Sequence, residues 1–278
     1  MRIIKYLLLF SLLIVLSVSA WIYYPQYQLN KMKEENTAEV EGTNKLTYID
    51  YYRTSDAKTI NHLALGDSII RGYRIDEGLN LVSQFSVQLE KQTKKQVLSK
   101  NEGIIGITSK NLNQLIQEGS FDAEIKEADI ITVNVGGNDV LKTVKKSDLY
   151  SALKEFDSLQ SGFSENLSGI ASRISELNPA ATIVFLELYN PMPADHKFYS
   201  MADKLLPKWN INIYEVAKET PSSVVVQTTK VINSENLQYL SNDGVHPSPS
   251  GYTAISEQMV EQFKVQFKED TVVANREN

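Results

Sequence analysis

The sequence predicts an α/β protein: a three-layer α/β/α sandwich around a parallel sheet of about five strands, preceded by an N-terminal hydrophobic helix. Three observations carry this expectation. Short β-branched segments recur, and each is continuously apolar rather than alternating, as in strands covered on both faces. Helical patterns separate them, which is the order that builds parallel βαβ units. At 278 residues, 42% of them hydrophobic and 22% charged, the chain can bury a sizeable core.

The predicted strands are 60–66 (INHLALG), 96–101 (QVLSKN), 129–136 (DIITVNVG), 181–189 (ATIVFLELY) and 223–229 (SVVVQTT). Val82, Phe85 and Leu89 share one helical face after the first strand. Leu112, Leu115 and Ile116 share another after the second. A long helix is predicted over 148–177, ended by Asn178-Pro179. The last helix starts at Ser250, a residue type suited to an N-cap, with Tyr252, Ile255, Met259 and Phe263 as its apolar stripe. These elements make one domain over 59–268, followed by a tail over 269–278.

The N-terminus carries information on location. From Tyr6 to Tyr24 about nineteen residues carry no charge, and Arg2 and Lys5 precede them. That length just spans the hydrocarbon core of a bilayer as a helix. Trp21, Tyr23 and Tyr24 suit its interface. Residues 1–25 read either as a retained membrane anchor or as a cleaved signal peptide, since Val18-Ser19-Ala20 resembles a small-residue cleavage site. Both readings make the folded part extracytoplasmic, anchored in one case and secreted in the other. Residues 26–58 are polar, mixed in charge and weakly periodic, and read as a linker.

Several function classes are disfavoured. A net charge of −6 offers no basic footprint for nucleic acid. The absence of cysteine excludes disulfides, thiolate metal sites and thiol nucleophiles. No phosphate-binding or dinucleotide glycine motif follows a predicted strand. Three scattered histidines without H-E-x-x-H make a poor zinc site, so neither metal nor cofactor is expected.

A doubly wound sheet gathers its chemistry in the loops after its strands. Gly66-Asp67-Ser68 follows the first strand, and NEGIIGITS, with Gly103 and Gly106, follows the second. Gly136-Gly137-Asn138-Asp139 follows the third, and NDGVHPSPSGY, with Asp243 and His246, precedes the last helix. Each fragment alone is ordinary turn chemistry. Together they offer a nucleophile, a base with an adjacent carboxylate, an amide side chain and exposed backbone N–H groups, the parts of an acyl-transfer site.

Serine needs a base within hydrogen-bond reach. His62 sits at the start of the first strand and reads as structural, while His196, in the loop after the fourth strand, is a second candidate. His246 has Asp243 three residues before it, and a carboxylate there can fix the tautomer that leaves Nε2 free for the serine proton. Asn138 offers a side-chain N–H to a tetrahedral oxyanion, joined by the backbone N–H of Ser68 and of a glycine in the second loop. Asp67 and Asp139 read as residues that shape their turns.

The series GDS, N-x-G-x-x-G, GGND and D-x-x-H-P, spread from His62 to Tyr252, resembles the SGNH hydrolases, also called the GDSL lipases and esterases. GDSIIRGYR is similar to the opening of bacterial lysophospholipase and thioesterase members. One departure is Ile69, where the family usually has leucine. The resemblance implies the flavodoxin-like SGNH fold, Gly106 rather than Gly103 as the glycine donor, and Ser68, Asp243 and His246 as the catalytic residues. It implies a cofactor-free hydrolase of small-molecule or lipid esters, working through an acyl-enzyme on Ser68. An O-acetyl esterase of cell-wall glycans and a non-catalytic binding module of the same fold are the competing readings. In 190–209, Met192, Phe198, Tyr199, Met201, Leu205, Leu206 and Trp209 either line an acyl cleft or form the buried face of the next helix.

Overall fold

A computed structural model of the protein describes residues 2–37, 46–146 and 149–268. Five strands, β1 (Thr59–Gly66), β2 (Gln96–Gly103), β3 (Ile130–Asn134), β4 (Thr182–Leu186) and β5 (Ser223–Val226), form one parallel sheet in the order β2-β1-β3-β4-β5. The helices are α1 (Arg2–Thr37), α2 (Tyr48–Thr54), α3 (Ser68–Arg71), α4 (Leu81–Thr93) and α5 (Ser109–Gln117). They continue with α6 (Asp122–Glu127), α7 (Gly137–Lys146), α8 (Leu149–Leu177), α9 (Tyr199–Glu219) and α10 (Pro249–Val265).

The two-residue period of the strands sorts the core into two halves. Leu63, Leu65, Ile131, Val133, Ile183, Phe185 and Val225 face one way, against residues of α5, α6, α8 and α9. Ile60, Ala64, Ile130, Val184, Leu186, Val224 and Val226 face the other, against α2, α4 and α10. This double coverage is why the strands are continuously apolar in sequence. The third, fourth and fifth strands end earlier than predicted, at Asn134, Leu186 and Val226. Beyond those points the chain leaves the ladder to build the carboxyl rim.

The reading of 26–58 as a linker is corrected. α1 runs on to Thr37, with Pro25 and Leu29 buried and Met32 packed on the core. Lys33 Nζ lies 2.7 Å from Oε1 of the fully buried Glu187, and Asn36 donates to Gln266 Oε1 (3.1 Å). α2, capped by Thr47, buries Tyr48, Ile49 and Tyr52. Pro25, Leu29, Met32, Lys33 and Asn36 lie on one helical stripe of mixed polarity, which a search for apolar runs passes over. Residues 38–45 and the predicted tail, 269–278, lie outside the described residues.

Upstream of Pro25 the described large apolar side chains of α1, among them Leu7, Phe10, Leu13 and Leu16, are exposed. Among the described residues no helix is long and apolar enough to cross a membrane. The uncharged run 6–24 includes positions 18, 21 and 22, whose side chains lie outside the described residues.

Two buried polar side chains finish the sheet. Gln266 closes the β5 edge as another strand would, donating to Val225 O (2.8 Å) and accepting from Val225 N (3.0 Å). His62 lies inside, paired through Nε2 with Thr132 Oγ1 (2.9 Å) and set edge-on to Phe85. Burial pushes its pKa down to about 4. It is a neutral core residue.

Candidate active site

The order of strands reverses beside β1, and this is where an α/β sheet opens a crevice at its carboxyl edge. At Gly66 a Cβ would stand 2.2 Å from Asn134 O, so only glycine lets the end of β1 pass β3 this closely. Asp67 then donates its N–H to Asn134 O (3.1 Å) and accepts from Ile69 N (2.9 Å), capping the single turn α3. Ser68 is the first residue of that turn and is 9% exposed.

The loop before α10 delivers the partner. Asp243 Oδ1 accepts from Val245 N (2.9 Å), His246 N (3.0 Å) and Ser241 Oγ (3.0 Å). Its Oδ2 lies 2.7 Å from His246 Nδ1, and His246 Nε2 lies 2.8 Å from Ser68 Oγ. Burial alone would raise the Asp243 pKa. The backbone N–H groups of His246 and Val245, the His246 ring and the Ser241 hydroxyl outweigh it and hold the carboxyl well below the usual carboxylate range. Asp243 is therefore ionised when it faces the imidazole.

Asn138 opens α7 from the loop after β3. Its Nδ2 donates to Ile107 O (3.0 Å) and makes only a long contact (3.4 Å) with Asp67 Oδ2. Asp139 accepts from Ser109 N (2.9 Å) and Ser109 Oγ (2.6 Å), tying this loop to α5. In the second loop the two glycines do different work. A Cβ on Gly103 would meet Arg71 N at 2.2 Å, whereas Gly106, at φ +76°, would meet no heavy atom within 4 Å. Gly103 is needed for packing, and Gly106 for its left-handed backbone. An open groove of about 440 Å³ lies beside Gly106, lined by Ile104, Ile105, Ile107, Leu115, Asn111 and Gln114.

The structure thus brings Ser68, His246 and Asp243 into one hydrogen-bonded chain, with Asn138 bonded to the loop that holds Gly106. His196 stands apart, exposed, with its Nδ1 accepting from Phe198 N (3.3 Å). The acyl-cleft reading of 190–209 is corrected for Trp209, which is 2% exposed and packs against Phe156 and Phe163 in the core. Leu206 packs on the same core.

Three supporting residues had no motif to announce them. Tyr73 sets its ring 4.9 Å from that of His246, under the Arg74 guanidinium. Tyr189 donates its hydroxyl to Val245 O (2.8 Å), and Ser241 bonds both Asp243 and His246 O.

Asp67 has an electrostatic cost. Burial, the largest effect, pushes its pKa up from 3.8 to about 6; the Ile69 N–H and His246 pull it down, and Asp139 pushes it up. A raised carboxyl stabilises the fold fully below its unfolded pKa and loses that contribution as pH rises through about 6. The shift of roughly 2 units is worth about 3 kcal/mol. Asp67→Asn keeps the acceptor for Ile69 N and cannot ionise. Its stability relative to the parent should therefore improve by about 2–2.5 kcal/mol between pH 4 and pH 7 in urea titrations. A difference that stays constant with pH would refute this.

The profile of the GDSL-like lipase/acylhydrolase family matches residues 64–254. The spore germination lipase LipC of Bacillus licheniformis is 29% identical over 210 residues, covering 72% of this chain and 95% of LipC. The crystal structure of the lipase Lip_vut3 from a goat rumen metagenome is similar at 26% identity and a TM-score of 0.65, covering 73% of this chain and 97% of that one. The acetylxylan esterase Axe2 of Geobacillus stearothermophilus, at 18% identity and a TM-score of 0.57, covers 76% of this chain and 97% of its own and shares the fold.

Proposed function

The chain belongs to the GDSL-like lipase/acylhydrolase family of ester hydrolases, and on that premise we propose an exported, membrane-tethered serine esterase with Ser68 as its nucleophile. The observation that carries the mechanism is the unbroken chain from Asp243 through His246 to Ser68, at 2.7 and 2.8 Å. Ser68 Oγ attacks the ester carbonyl carbon while His246 Nε2 takes its proton. Asp243, ionised, holds Nδ1–H and stabilises the imidazolium that forms. The carbonyl π electrons move onto oxygen, where the N–H groups of Ser68 and Gly106 and the Asn138 amide meet the charge. His246 then protonates the departing alkoxide. Water, deprotonated by the same nitrogen, cleaves the acyl-enzyme and restores Ser68.

In Asn138 one amide hydrogen is anchored on Ile107 O, and the one near Asp67 is held only loosely. That second N–H is the one an oxyanion would take over. Asn138→Ala should lower kcat by roughly 10²–10³ with a much smaller change in KM, measured on a soluble ester. A change confined to KM would make Asn138 a substrate or turn residue instead.

The reading as a whole is tested with a fluorophosphonate probe, which phosphorylates an activated serine. Labelling of Ser68, blocked by prior acylation, is expected. A protein that hydrolyses no ester and stays unlabelled would be a binding module of the same fold. Export and tethering are supported by the uncharged run 6–24 after Arg2 and Lys5.

A further inference from the structure

The way α1 is mounted fixes the side of the domain from which its apolar half projects. Glu187 and Thr229 follow β4 and β5 at the carboxyl rim, whereas Val225 lies within β5 and Ser223 at its amino end. Lys33 reaches Glu187 (2.7 Å) and Thr229 Oγ1 (3.2 Å). Asn36, one turn on, reaches Gln266, which is bonded to Val225. Tyr48 then donates its hydroxyl to Ser223 O (3.0 Å). The chain therefore descends along α1 against the strand direction, and the N-terminal half of α1 projects beyond the carboxyl rim. That is the rim of Ser68, Asn138 and His246.

Heights follow from the rise of a helix. From Lys33 back to Tyr24 is about 14 Å, and burial along the helix ends there, with Pro25 buried and Tyr24 61% exposed; the uncharged run above it is about 28 Å long against a hydrocarbon core of about 30 Å. Its exposed side chains, such as Leu7, Leu8, Leu9 and Phe10, surround the helix on all sides, as lipid contact on every face requires. On the other side of Ser68, the loop after β2 exposes Ile104 (38%) and Ile105 (59%) on the same rim. With strands about 4.8 Å apart, Ser68 after β1 stands one strand from this isoleucine pair and three strands, about 14 Å, from the line of β5, beyond whose edge α1 is seated.

We propose that the carboxyl rim faces the bilayer, and that the substrate is a long-chain acyl ester of a membrane-resident amphiphile, drawn from the lipid surface into the groove beside Gly106. This rests on the hydrolase and anchor readings above. An acetyl group on an envelope glycan would give no reason for a site turned toward lipid.

The test uses the full chain in phosphatidylglycerol–phosphatidylethanolamine vesicles, with 4-methylumbelliferyl oleate dissolved in the bilayer and 4-methylumbelliferyl acetate in the water. A seven-residue alanine-rich insert between Tyr24 and Pro25 lengthens the helix by about 10 Å and lifts the rim away from the lipid. The oleate rate should fall at least about fivefold while the acetate rate holds, which also reports an intact fold. Should the insert abolish acetate hydrolysis too, a Gly-Ser insert of equal length at the same junction replaces it, with the same expectation. An unchanged ratio of the two rates, or a full chain that does not float with the vesicles, would overturn the proposal. Failure of the unmodified protein to hydrolyse either ester would instead remove the hydrolase reading.

Discussion

Ser68→Ala is expected to lower ester hydrolysis by roughly 10⁴-fold or more while leaving the fold in place. The substitution removes one oxygen whose hydrogen-bond partner here is His246 Nε2. What positions the turn does not involve that oxygen: Gly66 against Asn134, Asp67 capping Ile69 N, and Asn101 Nδ2 donating to Ile70 O at 2.8 Å. His246→Ala should cost a similar factor, and the double variant should cost little more than either single one, because the residues act as a unit. Initial rates with circular dichroism as the fold control decide it. Turnover within tenfold of the parent in Ser68→Ala would end the serine mechanism.

The largest stability effect is expected away from Ser68, at the seat of α1. Lys33→Met leaves the Glu187 carboxylate inside the domain without its counter-charge, and breaking such a pair from one side costs about 3–5 kcal/mol. Tyr214 and Thr229 still donate to Glu187, at 3.2 and 2.5 Å, which puts the loss near the lower end. Adding Glu187→Gln removes the stranded charge, so the double variant should recover most of the stability. Denaturant midpoints of the full chain in detergent measure this. If Lys33→Met is neutral, α1 is held by Leu29 and its apolar neighbours alone.

The contrast between these two regions explains what could be read from residues alone. The strands were legible because burial on both faces leaves a continuous apolar run. The four rim loops were legible because each carries a turn residue next to a reactive one, and His246 differed from His62 and His196 by the acid three residues before it. Seating of α1 was not legible. Its contacts alternate Pro25, Leu29 and Met32 with Lys33 and Asn36, whose partners lie some 150 to 230 positions away and obey no local period. Trp209 was ambiguous for a related reason: an aromatic residue after β4 has the same local pattern whether it faces a cleft or Phe163. Tyr73, Tyr189 and Ser241 are defined by the tertiary fold and had no signature.

The clasp between α1 and Gln266 also sets an order in time. Asn36 and Gln266 are separated by 230 positions, and Lys33 and Thr229 by 196. During synthesis α1 emerges before β4, β5 and the segment after α10, and it has no seat on the domain until they have followed. Closing so long a loop is entropically costly and slow compared with forming a helix locally. For much of the chain's elongation the apolar helix is therefore without its seat on the sheet. On the anchor reading proposed above, the domain locks onto the helix last, so a membrane contact would be made before the site is complete.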